Sequence, residues 1–197
     1  MYKKYSPNKL FFFSLLLIVA GCSTSPHKDK PQFNVYKNAE LKNWSAEGKV
    51  GLRMYDSSRS ASFSWKQRGK NTYLHLWGPF GQGSVYVTVH NGETCLQQGN
   101  VVNCANSPEE LLKEQVGWTL PVSDLIYWIK AVPSPRQALQ NSSLPNGTRQ
   151  EGQLKQNDWL IEYRSFHNVD SMLLPKKIVA NRGTVKMTLA IKDWKTH

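Results

Sequence analysis

Acid is scarce in this chain, with 14 Asp and Glu against 25 Lys and Arg, and cysteine is scarcer, with three in 197 residues. No disulfide framework can carry the fold, and a chain this long can bury a core without one. There is no long low-complexity run, which argues against a disordered chain. No apolar run approaches the ~20 residues of a membrane-spanning helix. No Gly-rich loop with a following Lys is present to cradle a nucleotide. The five histidines (His27, His75, His90, His167, His197) are scattered, and none has a metal-ligand spacing to Cys, Asp or Glu. Gly81-Gln82-Gly83-Ser84 lacks the nucleophile-elbow pattern. These absences leave no catalytic residue, metal or cofactor to assign.

What is present begins with charge. Three lysines (Lys3, Lys4, Lys9) and no acid precede position 22, so the remainder still carries +8. Such an excess favours an anionic partner: nucleic acid, a membrane surface or an acidic protein face. The three lysines are followed by Leu10–Ala20, apolar apart from Ser14, which has the layout of a secretory signal peptide. Export disfavours nucleic acid as the partner. The signal ends Val19-Ala20-Gly21-Cys22 and resembles the bacterial lipobox, which implies lipid on the Cys22 thiol and cleavage before it; an ordinary signal with a chance cysteine is the alternative. Ser23 follows, where Asp often marks retention in the inner membrane. Residues 23–34 are rich in Ser, Pro, Lys and Asn and suit a flexible tether. The expected organisation is therefore a signal over 1–21, a lipidated cysteine and tether over 22–34, and one domain over 35–197.

That domain has the period of two that marks strands with one buried face. Lys49–Met54, Ser60–Lys66 and Tyr73–Trp77 are short segments rich in apolar residues. Val85, Val87 and Val89 alternate with Tyr86, Thr88 and His90. Trp159, Ile161 and Tyr163 form a similar series, as do Val185, Met187, Leu189 and Ile191. Asn91-Gly92, Gly99-Asn100, Asn157-Asp158 and Arg182-Gly183 are turn signals between them, and short connections favour consecutive antiparallel strands. Helices are expected over Val35–Lys42, from Ser107-Pro108-Glu109-Glu110 to Gly117, and from about Val122 to Lys130.

Four stretches make the domain resemble the LolB family. They are Leu41–Val50; Phe63–Gln67 followed by Tyr73–Leu76 and Gly78-Pro79-Phe80-Gly81; Leu111 through Gly117, Leu120-Pro121-Val122, Leu125, Trp128-Ile129 and Pro133; and Leu189–Trp194. Phe80 departs from the family, which often has Leu there, and so does the pair Cys95 and Cys104. The resemblance implies a mainly β (α+β) fold: an incomplete antiparallel β-barrel whose apolar cavity is covered by a lid of short helices. It also implies a function. A periplasmic carrier, LolA, brings triacylated lipoproteins to an outer-membrane receptor, which passes them to the lipids of the inner leaflet. Burying a CH₂ is worth about 0.8 kcal/mol, so bare acyl chains do not cross water unaided, and handover without a nucleotide must run downhill. Under this reading Phe63, Trp65, Leu76, Leu125, Trp128 and Ile129 are candidates for lining the acyl site, with Trp65 as wall and Trp128 as lid. In an unrelated β protein these tryptophans, with Trp77, Trp118, Trp159 and Trp194, would simply fill the core. Gly78, Pro79, Phe80 and Gly81 would form a membrane-insertion loop, and the protein would act as a monomer. A structural or assembly-machine lipoprotein, or a lipid-processing hydrolase, are the competing functions.

Register offers one more expectation. If Gly99-Asn100 is a two-residue turn, Cys95 faces Cys104 in a non-hydrogen-bonded pair with Cα atoms about 4.5 Å apart, close enough for a disulfide. Two reduced thiols are the alternative.

Overall fold

The computed structural model describes Met1 and residues 33–81, 83–117, 120–145 and 151–197. Cys22, the signal and the tether up to residue 32 lie outside these, as does Trp118. Eleven strands form one antiparallel sheet: β1 (Asn43–Arg53), β2 (Ser58–Arg68), β3 (Asn71–Trp77), β4 (Val85–His90), β5 (Glu93–Gln98), β6 (Val101–Ala105), β7 (Leu139–Ser143), β8 (Gly152–Gln156), β9 (Trp159–Val169), β10 (Met172–Arg182) and β11 (Val185–Thr196). The spatial order is β6-β5-β4-β3-β2-β1-β11-β10-β9-β8-β7. Every neighbour is a neighbour in sequence except β1 and β11, whose pairing joins two meanders. The sheet stays unclosed, with β6 and β7 at its edges. The segment from one edge to the other carries helices α2 (Pro108–Val116) and α3 (Val122–Trp128), while α1 (Val35–Glu40) precedes β1.

Alternating side chains explain which face is inside. Trp44, Ala46, Val50 and Leu52 of β1, Phe63 and Trp65 of β2, Leu74 and Leu76 of β3, and Val85 and Val87 of β4 are buried in one cluster with Leu111, Leu112, Leu125 and Trp128 of the helices. The expected elements are present with shifted ends. β1 begins at Asn43 rather than Lys49, and α1 stops at Glu40 rather than Lys42. The α2 ends carry the anticipated signals: the Ser107 hydroxyl accepts from the Glu110 N–H at 3.1 Å, and Gly117 ends the helix at φ 68.

The joint between the two meanders depends on one glycine. The β1–β11 register shifts between Glu47 and Gly48, and a Cβ on Gly48 would stand 2.1 Å from the Ala190 carbonyl oxygen. Gly48→Ala must push the strands apart, so we expect a loss of about 1–3 kcal/mol of stability, checked by urea unfolding. Gly51, whose added Cβ would meet nothing within 4 Å, is the control, and Gly51→Ala should change little.

The β5–β6 hairpin follows the anticipated register. Gln98 pairs with Val101 and Cys95 with Cys104, and Gly99 has φ 59. The two cysteines are joined in a disulfide, with Cα atoms 4.1 Å apart. Thr88 pairs with Cys95 and Val87 with Leu96, so the bridge lies on the face opposite the buried Val87 and Leu96.

Candidate functional site

The two helices face the inner surface of the sheet, and all six candidate lining residues meet there. Phe63 and Trp65 come from β2, Leu76 from β3, Leu125 and Trp128 from α3, and Ile129 from the residue that ends α3. None is more than 5% exposed. Phe63 pairs directly with Leu76 across the strands. Trp65 packs on Trp44, ring centroids 5.6 Å apart, and Trp44 on Trp194 at 5.3 Å. The result is an apolar layer of sheet side chains beneath an apolar layer of helix side chains, with no charged group between these six. The same inward face continues into the buried Gln67 and Thr72, and Trp65 Nε1 donates to Gln67 Oε1 at 3.3 Å.

The helices are fastened unequally. At the far end of α3, Trp128 Nε1 donates to Gln156 Oε1 at 3.0 Å, and the Tyr163 hydroxyl donates to the Trp128 carbonyl at 3.1 Å. The same Gln156 oxygen accepts from the Ser134 N–H, while its amide donates to the Ser134 and Gln137 carbonyls. The Ser134 hydroxyl in turn donates to Asp124 at 2.6 Å. Burial pushes the Tyr163 hydroxyl's pKa up. By contrast α2 is tied by more exposed groups. Arg59 donates to the Val116 carbonyl at 2.7 Å, and Glu109 accepts from the Ser123 N–H at 2.6 Å and its hydroxyl at 3.1 Å. Trp128, which the resemblance places on a lid, therefore sits where α3 is held by buried groups, and the ties of α2, to which Asn103 adds a donation to Gln115 at 3.1 Å, are the more exposed.

Sequence reasoning missed Gln156, Tyr163 as an anchor, Asn38 and Lys130. Asn38 of α1 is buried and donates to the carbonyls of Lys130 and Leu173 at 2.8 and 3.1 Å. Lys130 is 5% exposed, its ammonium bonded to the Leu41 carbonyl at 2.9 Å. A buried amide in a polar strand carries no hydrophobic signal, so only the fold could reveal Gln156.

Lys130 makes stability depend on pH. Burial lowers its pKa from 10.5 to about 8. Between these values the unfolded chain holds a proton that the folded chain has lost, so stability rises as pH climbs through that window. Above about 10 the Tyr163 hydroxyl works in reverse, because only the unfolded tyrosine ionises there. We expect stability to climb from pH 8 to about 10 and then fall. Lys130→Met should flatten the climb and unfold at higher denaturant at pH 7; chemical denaturation across pH 7–10 measures both.

The loop Gly78, Pro79, Phe80 and Gly81 lies outside this layer. Pro79–Gly81 form one 3-10 turn in which Phe80 has φ 57, a left-handed conformation unusual for a bulky residue. Its side chain is 101% exposed. His75 grips both ends of the loop on the sheet's outer face. It stacks on Trp77 at 4.5 Å and on Tyr86 at 4.1 Å, and its Nε2 lies 2.8 Å from the Ser84 hydroxyl. Burial lowers its pKa. Among the described residues no carboxylate bonds to His75, and the pair faces away from the apolar layer, bracing the loop.

Comparison with known proteins agrees with this geometry. Residues 42–194 match the family model described as outer membrane lipoprotein LolB. The chain is 34% identical over 187 residues to the outer-membrane lipoprotein LolB of Chromohalobacter salexigens, covering 91% of this chain and 86% of that one. It is 32% identical over 192 residues to that of Pseudomonas putida, covering 92% and 93%. The fold is shared with a solved LolA superfamily protein from Nitrosomonas europaea, at a TM-score of 0.55 and 9% identity, over 83% of this chain and 91% of that one.

Proposed function

This chain belongs to the LolB family, and from that premise we propose that it is an outer-membrane lipoprotein receptor: it takes triacylated lipoproteins from a periplasmic LolA-type carrier and releases them into the inner leaflet. The observation that carries the reading is the apolar layer between an unclosed sheet and a two-helix lid, with a fully exposed Phe80 on a neighbouring loop. Acyl chains enter between the sheet and α2, where the ties are the more exposed, while α3 holds its place through Gln156. Cys22 carries the lipid that keeps the receptor at its membrane; several acyl chains anchor stably where one does not. Transfer needs no covalent step, because each move exchanges one apolar environment for another, and the bilayer is the final sink. A structural lipoprotein would share the anchor but would have no use for an apolar interior that opens at one helix.

The test is a handover. Carrier loaded with a labelled triacylated lipoprotein is mixed with the purified receptor, and the cargo's partner is followed by co-purification. Cargo should leave the carrier for the receptor and then appear in added liposomes. Cargo that stays with the carrier at receptor excess would count against the receptor role and leave the structural alternative.

A further inference from the structure

The three most exposed apolar side chains of the first meander gather at one end, while Tyr73, 42% exposed, lies toward the other. In an antiparallel sheet alternate connections lie at the same end, so the β1–β2 connection (Met54–Ser57), the β3–β4 loop and the Gly99-Asn100 turn share one rim. Each presents an exposed apolar residue there: Tyr55 at 92%, Phe80 at 101% and Val101 at 60%. The turns at the opposite end of these strands, Gly69-Lys70 and Asn91-Gly92, carry none. Tyr55 is not a frayed tip. The Met54 N–H donates to the Ser57 carbonyl at 2.8 Å and Met54 packs on the core, so the turn is closed and Tyr55 is directed outward. Val101 stands on the hairpin braced by the Cys95–Cys104 disulfide.

Charge at this rim points the same way. Arg53 and Lys186 are direct cross-strand partners, both exposed. Like charges so placed repel. The one ion pair among the described residues is Arg164–Glu162, so neither cation is paired with a described acid. Asp56 beside Tyr55 and Asp158 in the β8–β9 turn are acids at this end, and Glu114 lies near it in the last turn of α2, whose Val116 is bonded to Arg59.

We infer that Tyr55 and Val101 flank Phe80 in a three-point contact with an anionic lipid surface, in which Arg53 and Lys186 meet lipid phosphates. Aromatic rings and cations side by side are what a bilayer interface accepts. Three points define a plane where one tip leaves the domain free to swivel, so the contact fixes how the gap between the sheet edges faces the membrane. The inference rests on the reading that Phe80 enters lipid.

The mature protein can be labelled with a polarity-sensitive fluorophore at Tyr55→Cys, Phe80→Cys, Val101→Cys or Lys70→Cys, since Cys95 and Cys104 are bonded to each other. It is then reconstituted in phosphatidylethanolamine vesicles with about one quarter phosphatidylglycerol, and quenching by brominated lipid is read. Positions 55 and 101 should be quenched within about a factor of two of position 80, with position 70 unquenched. Arg53→Gln with Lys186→Gln, or omission of the phosphatidylglycerol, should reduce quenching at 55. Quenching at 80 with 55 and 101 matching 70 would overturn the three-point contact alone. Four unquenched positions would overturn the Phe80 reading and this inference together. Shielding of 55 and 101 only when loaded carrier is added would show a protein-binding rim instead.

Discussion

Replacing Phe80 with Glu is expected to leave a folded protein that still accepts cargo and no longer delivers it to liposomes. The expectation follows from where the side chain is and where it is not. Phe80 is fully exposed and touches none of the six residues between sheet and lid, so the substitution should shift stability by no more than about 0.5 kcal/mol and leave acceptance intact. A phenyl ring buried from water contributes roughly 1.5–3 kcal/mol, and this ring obtains none of it within the domain. Its left-handed backbone, φ 57, is a further local cost, held in place by the His75 brace. Contact with lipid would offset the exposure of the ring. Removing the ring and adding a charge should therefore slow delivery on the order of 10- to 100-fold. Phe80→Leu should deliver like the parent, because it keeps an apolar tip. His75→Ala should lie between, since it frees both ends of the loop without altering the tip. The assay scores cargo on the receptor and cargo in liposomes separately. Delivery by Phe80→Glu at the parental rate, or failure to accept cargo, would remove Phe80 from the release step.

The parts of the fold that were legible in the sequence share a physical cause. Val85–Val89 and Val185–Ile191 alternate because one face is buried and the other wet, and the alternation survives in the structure. The register of the Cys95–Cys104 hairpin followed from one turn, because a two-residue loop fixes every pair behind it. Three strands escaped for the converse reason. β10 is buried on consecutive positions from Met172 to Pro175 and again from Ile178 to Ala180, so it shows no period of two, and a proline within it argues against a strand. Pro175 sits where the β9–β10 register shifts, and its carbonyl accepts from Trp194 Nε1 at 2.9 Å. β7, Leu139–Ser143, is an edge strand exposed throughout and polar after Leu139. β8 does alternate, but its buried set is Gly152, Leu154 and Gln156, only one of which is large and apolar. The candidate site divides along the same line: the burial of its six apolar residues was legible because they are apolar, their role as a lining came from the resemblance alone, and the polar ties that hold α3 were not legible.

Gln156→Leu is the substitution expected to cost the most stability. Leucine is comparable in volume though branched, so most of the loss would come from hydrogen bonding. All of the Gln156 side chain's polar capacity is used: its oxygen serves Trp128 Nε1 and the Ser134 N–H, and its nitrogen serves the Ser134 and Gln137 carbonyls. Gln156 and Trp128 are 0% exposed and Ser134 1%, so water cannot replace it there. A buried polar group left without a partner costs about 1–3 kcal/mol. Two orphaned N–H groups together with unpaired carbonyls give a loss of about 3–5 kcal/mol, a large share of the 5–15 kcal/mol that holds a domain of this kind. Arg59→Gln removes one exposed tie from α2 and should cost about 1 kcal/mol or less. The two variants should also differ in where protection is lost. Hydrogen exchange in Gln156→Leu should rise across Val122–Trp128, and in Arg59→Gln across Pro108–Val116. In the handover assay, Arg59→Gln should take cargo at least as fast as the parent, because it loosens the end that opens. Gln156→Leu should retain cargo poorly, because it frees the helix against which the acyl chains rest. If Gln156→Leu unfolds at the parental urea midpoint with α3 still protected, Gln156 does not pin α3, and the lid must be fastened through Tyr163 and Asp124 instead.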